Sequence, residues 1–298
     1  MKHIRRTSSV LFGAGLLVLA ACGSDSTTSA AATTATPTSP APAATDAPAV
    51  TDASTDTTMP MMPMPDYAAG MKLTLSSPAA GVTVTDNTVP LSVAAAGFEL
   101  SCDHAGKPLA EGFGHYHVLL DGALVDMECT TDTSVSMQNV APGEHTIAVV
   151  PALNDHAEVM DNETEFAFTY APTSPLAEIA DAATTGDPSI KIVSPKPGEV
   201  VNGDFDIVVE VSNYDLNCDL YGKPGLFGIG HYHVNVDSTS GPMMGMMTML
   251  GMGCTTTFHA STVGLESGST HTLIALLADN GHAPLMPAIE ASVEVTVG

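Results

Sequence analysis

Two histidine pairs with a spacing of two residues could do chemistry in this chain: His115 with His117, and His231 with His233. They lie in the matching stretches GHYHVLLD and GHYHVNVD. Residues i and i+2 of a β-strand share a face, so their side chains lie roughly 6.5–7 Å apart. Two imidazoles at that spacing can converge on one Zn, Cu, Ni or Fe ion. Each stretch is therefore a candidate metal site.

The alternation in these strands predicts which way the histidines point. Apolar side chains occupy the intervening positions, Tyr116, Val118, Leu120 and, in the second copy, Tyr232, Val234, Val236. These residues should face a core, which leaves both histidine pairs on the outward face of their strand. An outward histidine pair can also be an ordinary polar surface or a contact of a structural or adhesive module, and this alternative stays open.

Further ligands are expected from four other histidines: His145, His156, His271 and His282. In an immunoglobulin-like sheet the histidine strand would be strand C and the strand that His145 opens would be strand F. Because C and F are antiparallel, the start of C lies beside the end of F. His156 should then join His115 and His117 in one cluster. His145 should lie nearer Asp121. Asp121 and its counterpart Asp237 are predicted partners that hold an imidazole tautomer.

These positions recur because the chain is internally duplicated. Cys102 aligns with Cys218, and Cys129-Thr130-Thr131 aligns with Cys254-Thr255-Thr256. Eight of the 11 histidines fall into four matched pairs. The second copy also holds an insertion, 241–253, between the His-x-His strand and its second cysteine.

Methionines are concentrated in that insertion. It supplies Met243, Met244, Met246, Met247, Met249 and Met252, and a further Met-rich stretch, MPMMPMP, occupies 59–65. Thioethers suit Cu(I), whereas imidazoles also take Cu(II) or Zn. Copper is accordingly the predicted metal, with zinc as the alternative. A loop of methionines can equally be an adaptable apolar packing surface.

Each copy has the pattern of an all-β domain. Short alternating runs such as TVPLSVAA, HTIAVVP and TEFAFTY are separated by Pro, Gly, Asn and Asp. About 100 residues with six or seven such strands predict two tandem immunoglobulin-like β-sandwiches. We expect repeat 1 at 71–171, a linker with one helical turn at 172–188, and repeat 2 at 189–298. A cupin fold also carries His-x-His on a strand, but Leu109 and Asp121 replace its usual Gly and Glu.

The N-terminus resembles an export signal. A basic start and a short apolar run end in Leu19-Ala20-Ala21-Cys22, which resembles the lipobox of bacterial lipoproteins. The resemblance implies a signal peptide at 1–21 and a lipid on Cys22 that anchors the chain in a bilayer. Residues 22–70, rich in Ser, Thr, Ala and Pro, predict a disordered tether. The expected location is extracytoplasmic, on a bacterial membrane.

Cysteine use fits an exported chain. Five cysteines are present, and Cys22 leaves two in each repeat. Four cysteines allow three connectivities, and the duplication favours Cys102–Cys129 and Cys218–Cys254, which close each repeat on itself. Thiolate metal ligands are the alternative, although no Cys-x-x-Cys is present.

Charge and motifs limit the function. The formal net charge is −25, from 33 acidic and 8 basic residues, which argues against nucleic acid as a partner. The sequence has no Gly-x-Ser-x-Gly and no phosphate loop, and no enzymatic activity is predicted.

A family resemblance covers most of both repeats. Gly114-His115-Tyr116-His117-Val118-Leu119-Leu120-Asp121 resembles the Gly-His-His-His-Leu-Leu-Ile-Asp signature of an uncharacterised exported bacterial domain family, with Tyr in place of the middle His. The Pro-Gly-Glu-His-Thr turn at 142–146 and the Ala-Asp-Asn-Gly-His-Ala-Pro segment at 278–284 resemble two further motifs of that family. The resemblance implies a domain type and no activity.

Overall fold

The computed structural model describes residues 63–241 and 245–298, which belong to one compact unit, Pro60–Gly298. The predicted signal peptide, Cys22 and most of the predicted tether lie outside the described residues, as do Met243 and Met244. Within the described ranges, the regular elements are β-strands and short 3₁₀ turns. None of the helices there is long and apolar enough to cross a membrane.

The first repeat is an immunoglobulin-like sandwich of two sheets. Its strands are β1 (Lys72–Ser77), β2 (Thr83–Val84), β3 (Thr88–Ala96), β4 (Glu99–Leu100), β5 (Phe113–Leu120), β6 (Ala123–Glu128), β7 (Asp132–Ser136), β8 (Gly143–Ala152) and β9 (Thr164–Tyr170). One sheet has the order β1-β3-β7. The other has the order β2-β9-β8-β5-β4, with β6 also paired to β5.

The second repeat copies this topology strand for strand. Its strands are β10 (Ser189–Ser194), β11 (Glu199–Val201), β12 (Asp204–Ser212), β13 (Asp215–Leu216), β14 (Ile229–Val236), β15 (Met249–Gly253), β16 (Thr257–Ser261), β17 (Thr270–Asp279) and β18 (Glu290–Val297). The sheets have the orders β10-β12-β16 and β11-β18-β17-β14-β13, with β15 paired to β14. The predicted all-β, immunoglobulin-like fold is thus confirmed.

Each core lies between the two sheets of its repeat. In the first repeat, Tyr116 and Val118 of β5 are fully buried against Ile147 of β8 and Phe168 of β9. In the second repeat, Tyr232 and Val234 of β14 take the equivalent places. The period-2 alternation puts these apolar residues on one face, and burying that face holds β5 and β14 in register.

Both predicted disulfides are present. Cys102–Cys129 and Cys218–Cys254 have Cα–Cα distances of 5.5 and 5.2 Å. Each ties the loop before a histidine strand to the end of the hairpin strand after it. Closing such loops stabilises a domain by about 3–4 kcal/mol, chiefly by restricting the unfolded chain.

The linker 172–188 has no helical turn, contrary to the sequence expectation, and it contacts both repeats. Gln138 Nε2 donates a hydrogen bond to the Ala177 carbonyl at 2.8 Å. Further along, the Ala182 amide donates to the Phe227 carbonyl at 2.8 Å. Backbone polar groups of the linker therefore find partners outside the linker, and a local helix is not needed to satisfy them.

Candidate metal centre

Strand β5 carries His115 and His117 side by side, and the loop after β8 returns His156 to them. In the antiparallel register His115 pairs with Ala152, so β8 ends next to the start of β5. The backbone then turns, with the His156 amide donating to the Leu153 carbonyl at 2.9 Å. His156 has φ 64°, in the left-handed region that non-glycine residues seldom adopt. This unusual conformation aims the imidazole back at the strand.

The three side chains form the first triad: His115, His117 and His156. Nε2 of His115 lies 3.2 Å from Nε2 of His117 and 2.9 Å from Nδ1 of His156. The second triad consists of His231, His233 and His282. Nε2 of His231 lies 3.0 Å from Nε2 of His233 and 3.0 Å from Nδ1 of His282. His282 repeats the left-handed backbone, with φ 66°.

Hydrogen bonds outside the first triad fix two of its tautomers. Nε2 of His156 lies 2.6 Å from the Met249 carbonyl oxygen, which only accepts hydrogen bonds. Nε2 therefore carries the proton, and the lone pair of Nδ1 points at His115. Nδ1 of His117 lies 2.7 Å from Glu158 Oε1, so His117 directs the lone pair of Nε2 inward. In the second triad, His282 Nε2 donates to the Leu124 carbonyl at 2.8 Å.

This arrangement suits a bound cation. Inward lone pairs from two imidazoles converge on His115 Nε2, while His115 Nδ1 is buried without a hydrogen-bond partner. Nδ1 of His231 in the second triad is likewise buried without a hydrogen-bond partner. Three nitrogens each 2.0–2.1 Å from one metal ion would lie roughly 3.3–3.5 Å apart, close to the distances found. A metal ion would accept all three lone pairs at once.

Burial lowers the pKa of five triad imidazoles, those of His115, His156, His231, His233 and His282. His115 and His231 are 1% and 0% exposed, and burial lowers the pKa of each well below its ordinary value. Burial, with the neighbouring His117, lowers the pKa of His156 to about 4. Burial, with His282 and His156, lowers the pKa of His233 to about 3. The neutral imidazole is the form that binds metal, so these lowered pKa values favour metal binding at neutral pH.

The sequence prediction that the His-x-His pairs face outward needs correction. They do point away from the core of their own repeat, but they are buried, because the other repeat covers that face. The contacts of His156 with Met249 and of His282 with Leu124 both cross from one repeat to the other. The alternation of apolar and polar residues shows which face of a strand points away from the core. It does not show whether that polar face is exposed to solvent or buried by another domain, because both cases have the same sequence pattern.

The other predicted ligands and tautomer partners form separate pairs. His145 Nδ1 lies 2.7 Å from Asp121 Oδ2, and His271 Nδ1 lies 2.7 Å from Asp237 Oδ2. Both pairs are at the far end of the histidine strand, where each aspartate also accepts the amide of Thr146 or Thr272. The structure therefore does not bring His145 and His271 to the triads. The carboxylate that orients a triad imidazole is Glu158, not Asp121 or Asp237.

Methionines from the hairpin strands lie beside both triads. Met127 of β6 pairs with His117, and Met252 of β15 pairs with His233. Met127 was not among the predicted ligands, although Met127 and Met252 each lie two residues before an aligned cysteine. A cavity of about 220 Å³ is lined by His115, His156 and both of these methionines. A narrow crevice beside the second triad is lined by Leu124, His233, Met246, Met249, Met252 and His282.

The methionines of the insertion differ in how close they lie to the second triad. Met246 lines the crevice with His233 and His282. Met247 is 48% exposed and lines neither cavity. Of the six methionines in the insertion, Met249 and Met252 lie on β15 itself, which places them by strand pairing rather than by loop conformation.

The surroundings of the two triads differ in charge. Glu158 touches the first triad, whereas the aligned residue in the second repeat is Pro284. Asp126 of β6 lines the cavity beside His115, whereas Gly251 takes its place on β15. Burial and the nearby Glu128 raise the pKa of Asp126 to about 7. The first triad thus has a carboxylate, Glu158, in direct contact, whereas the aligned position beside the second triad carries no charge.

Comparison with known proteins gives no matching family model and no matching curated protein. Similar solved structures include the fibronectin(III)-like modules of Clostridium thermocellum CbhA, with 16% identity over 76% of this chain and 93% of that one and a TM-score of 0.24. CopC from Methylosinus trichosporium OB3b is 18% identical over 36% of this chain and 99% of that one, with a TM-score of 0.21. The BSP domain of a biofilm-associated protein is 17% identical over 76% of this chain and 29% of that one, with a TM-score of 0.20.

Proposed function

We propose that this protein binds copper outside the cytoplasm, in its two histidine triads, and holds the metal for storage or delivery. The observation that carries the proposal is the convergence of three buried imidazole nitrogens, twice, at 2.9–3.2 Å and 3.0 Å. Duplication alone would copy the residue types. Both copies also keep the left-handed backbone at the third histidine and a carbonyl acceptor for its second nitrogen.

The side chains around the triads favour copper over zinc. Zinc sites in proteins are built from Cys, His, Asp and Glu, and thioethers are not among their usual ligands. Thioethers bind Cu(I), and imidazoles bind copper in both oxidation states. Three methionines, Met246, Met249 and Met252, line the crevice beside the second triad, and Pro284 stands there in place of Glu158, so that triad is the better Cu(I) site. The first triad, with Glu158 on His117, suits Cu(II) and would also accept zinc.

The location follows from the disulfides and the N-terminal sequence. Two disulfides within one chain are typical of an oxidising, extracytoplasmic compartment. We infer that a lipid on Cys22 anchors the chain and that 22–70 tethers the two repeats to the membrane. Burial of all six triad histidines suits holding an ion rather than turning over a substrate.

Metal content tests the proposal. The full chain, purified without a histidine tag and loaded with Cu(I) or Cu(II), should retain one ion per triad after exhaustive dialysis. The double variant His115→Ala/His231→Ala should retain little. The matched control, His145→Ala/His271→Ala, removes the same residue types from the Asp121 and Asp237 pairs and should bind normally. A chain that retains no metal would instead favour the structural or adhesive alternative.

A further inference from the structure

The two repeats exchange equivalent contacts across their histidine faces. His156 of the first repeat donates to the carbonyl of Met249 on β15, and His282 of the second repeat donates to the carbonyl of Leu124 on β6. Leu124 pairs with Leu119 on β5, and Met249 pairs with the matching Asn235 on β14. The interface is therefore reciprocal, as in a twofold dimer, although one chain supplies both halves.

Two matched glycines allow this close approach. Gly106 has φ 68° and Gly222 has φ 66°. A Cβ on Gly106 would overlap the carbonyl oxygen of Met249, and a Cβ on Gly222 would overlap that of Leu124. The same glycines hold the third-histidine loops, because the Gly106 amide donates to the Asn154 carbonyl at 2.7 Å. The Gly222 amide donates to the Asn280 carbonyl at 2.8 Å.

A buried lysine adds a polar clamp between the repeats. Lys107 is 5% exposed, and its Nζ donates to the carbonyls of Ser261 and Val263 in the second repeat at 2.6 and 2.8 Å. Its third bond, also 2.6 Å, goes to the Asp103 carbonyl in its own loop. An ammonium group has three donors, and all three are used here. Separating the repeats would leave those bonds broken.

The two triads lie close together. Nε2 of His156 donates to the Met249 carbonyl, and Met249 also lines the crevice beside His233 and His282. Met252 lines both the cavity next to the first triad and the crevice next to the second. Both triads therefore belong to one region of the molecule, enclosed by the interface.

We propose that the two triads form one composite centre, in which each repeat completes the other repeat's metal site. The proposal rests on the metal-binding function proposed above. An undocked repeat would lose the carbonyl that fixes the tautomer of its third histidine, and that imidazole would meet water. Losing such an outer partner of a metal ligand typically weakens metal affinity by about 10–100-fold. By linkage, a metal ion that prefers the docked state stabilises the docking.

The sharpest test alters the interface without touching a ligand. Gly106→Ala places a methyl group against the Met249 carbonyl. Gly81→Ala is the matched control, because Gly81 has φ 73° and open space around it, so the backbone strain is similar and the interface is intact. In the full chain, Gly106→Ala should weaken zinc binding in a chelator competition by about 10–100-fold, whereas Gly81→Ala should not.

Histidine labelling gives a readout that needs no metal. In the metal-free chain, diethyl pyrocarbonate should modify His156 and His282 slowly, and Gly106→Ala should make both react at a rate near that of His259, whose side chain is 84% exposed. Unchanged labelling in Gly106→Ala would overturn the composite centre. If the unaltered chain binds no metal, the proposed function fails, and labelling still decides whether the interface encloses the histidines.

A third experiment uses the unsubstituted sequence of both repeats, so its result does not depend on whether Gly106→Ala folds correctly. A protease site inserted in the linker 172–188 can be cleaved after the full chain has folded. The two halves should stay together through gel filtration when loaded with zinc and should separate more readily after chelation. Halves that separate equally with and without zinc, and that each retain zinc when no chelator is present, would contradict the proposal.

Discussion

Glu158 accepts a hydrogen bond from Nδ1 of His117 at 2.7 Å, and this contact makes the first triad different from the second. The bond with His117 holds the pKa of Glu158 below its ordinary value, so the carboxylate is charged when it orients the imidazole. A carboxylate partner raises the basicity of a ligating histidine. The second repeat has Pro284 at this place, and its triad gains no such charge from that position.

Glu158→Gln should therefore weaken the first triad selectively. The amide keeps the shape of the side chain and removes its charge, so zinc or Cu(II) affinity at the first triad should fall by about 10–100-fold. The second triad should be unaffected. Competition titration of the full chain would resolve the two sites, and Glu165→Gln, at an exposed position of β9, is the control. Equal loss at both triads would contradict the assignment of Glu158 to the first.

Met252→Leu should separate the two oxidation states of copper. Leucine has nearly the same volume as methionine but no thioether sulfur, so packing on β15 should be kept. Cu(I) affinity at the second triad should fall, while zinc affinity should not, because thioethers select Cu(I). Competition with bicinchoninate measures the Cu(I) affinity, and competition with a zinc chelator measures the zinc affinity. Met160→Leu, at a methionine 54% exposed, serves as control. An equal drop for zinc would mean that Met252 only supports packing.

The metal-free protein should lose stability as the pH falls from about 6.5 towards 4. An unfolded histidine has a pKa near 6.5, whereas the folded pKa values of His156 and His233 are about 4 and about 3. Between these values the unfolded chain binds more protons than the folded chain, so acid favours unfolding. Each such histidine contributes a slope of up to about 1.4 kcal/mol per pH unit.

Urea unfolding of the metal-free full chain at several pH values would measure this slope. His156→Asn should reduce the slope, because asparagine tolerates the left-handed backbone and does not titrate in this range. His145→Ala is the control and should keep it. A stability that is flat between pH 6.5 and 4 would show that the triads are not desolvated as described.

Cys22→Ser should release the protein from the membrane fraction. The prediction rests on the lipobox-like sequence alone, since Cys22 lies outside the described residues. A lipid chain is the anchor that the sequence offers, and serine cannot carry the thioether-linked lipid. Fractionation of cells expressing the full chain and the variant would show it. Persistence of Cys22→Ser in the membrane fraction would point to a different anchor.

Much of the first triad was predictable because it depends on strand geometry. The spacing of His115 and His117 puts them on one face, and the antiparallel pairing of β5 with β8 brings His156 beside them. The duplication then implied His231, His233 and His282. The disulfides followed in the same way, because closing each repeat on itself is the simplest of the possible connectivities.

The remaining features depend on long-range packing that no local pattern encodes. Glu158 has no counterpart in the second repeat, so alignment of the repeats does not single it out. Met127 faces His117 only because β6 pairs with β5 through a bulge between Val118 and Leu119. Gly106 looks like an ordinary turn glycine, and its contact with Met249 arises only when the two repeats dock.

X-ray absorption spectroscopy of the copper-loaded full chain tests the central claim most directly. It reports the atoms bound to the metal, and ordered imidazoles give a characteristic outer-shell scattering. The account predicts a nitrogen shell with strong imidazole scattering in both oxidation states, a sulfur contribution for Cu(I) that Met252→Leu reduces, and loss of the imidazole signal in His115→Ala/His231→Ala. A shell of oxygen ligands without imidazole scattering, or one unchanged by that double variant, would contradict it.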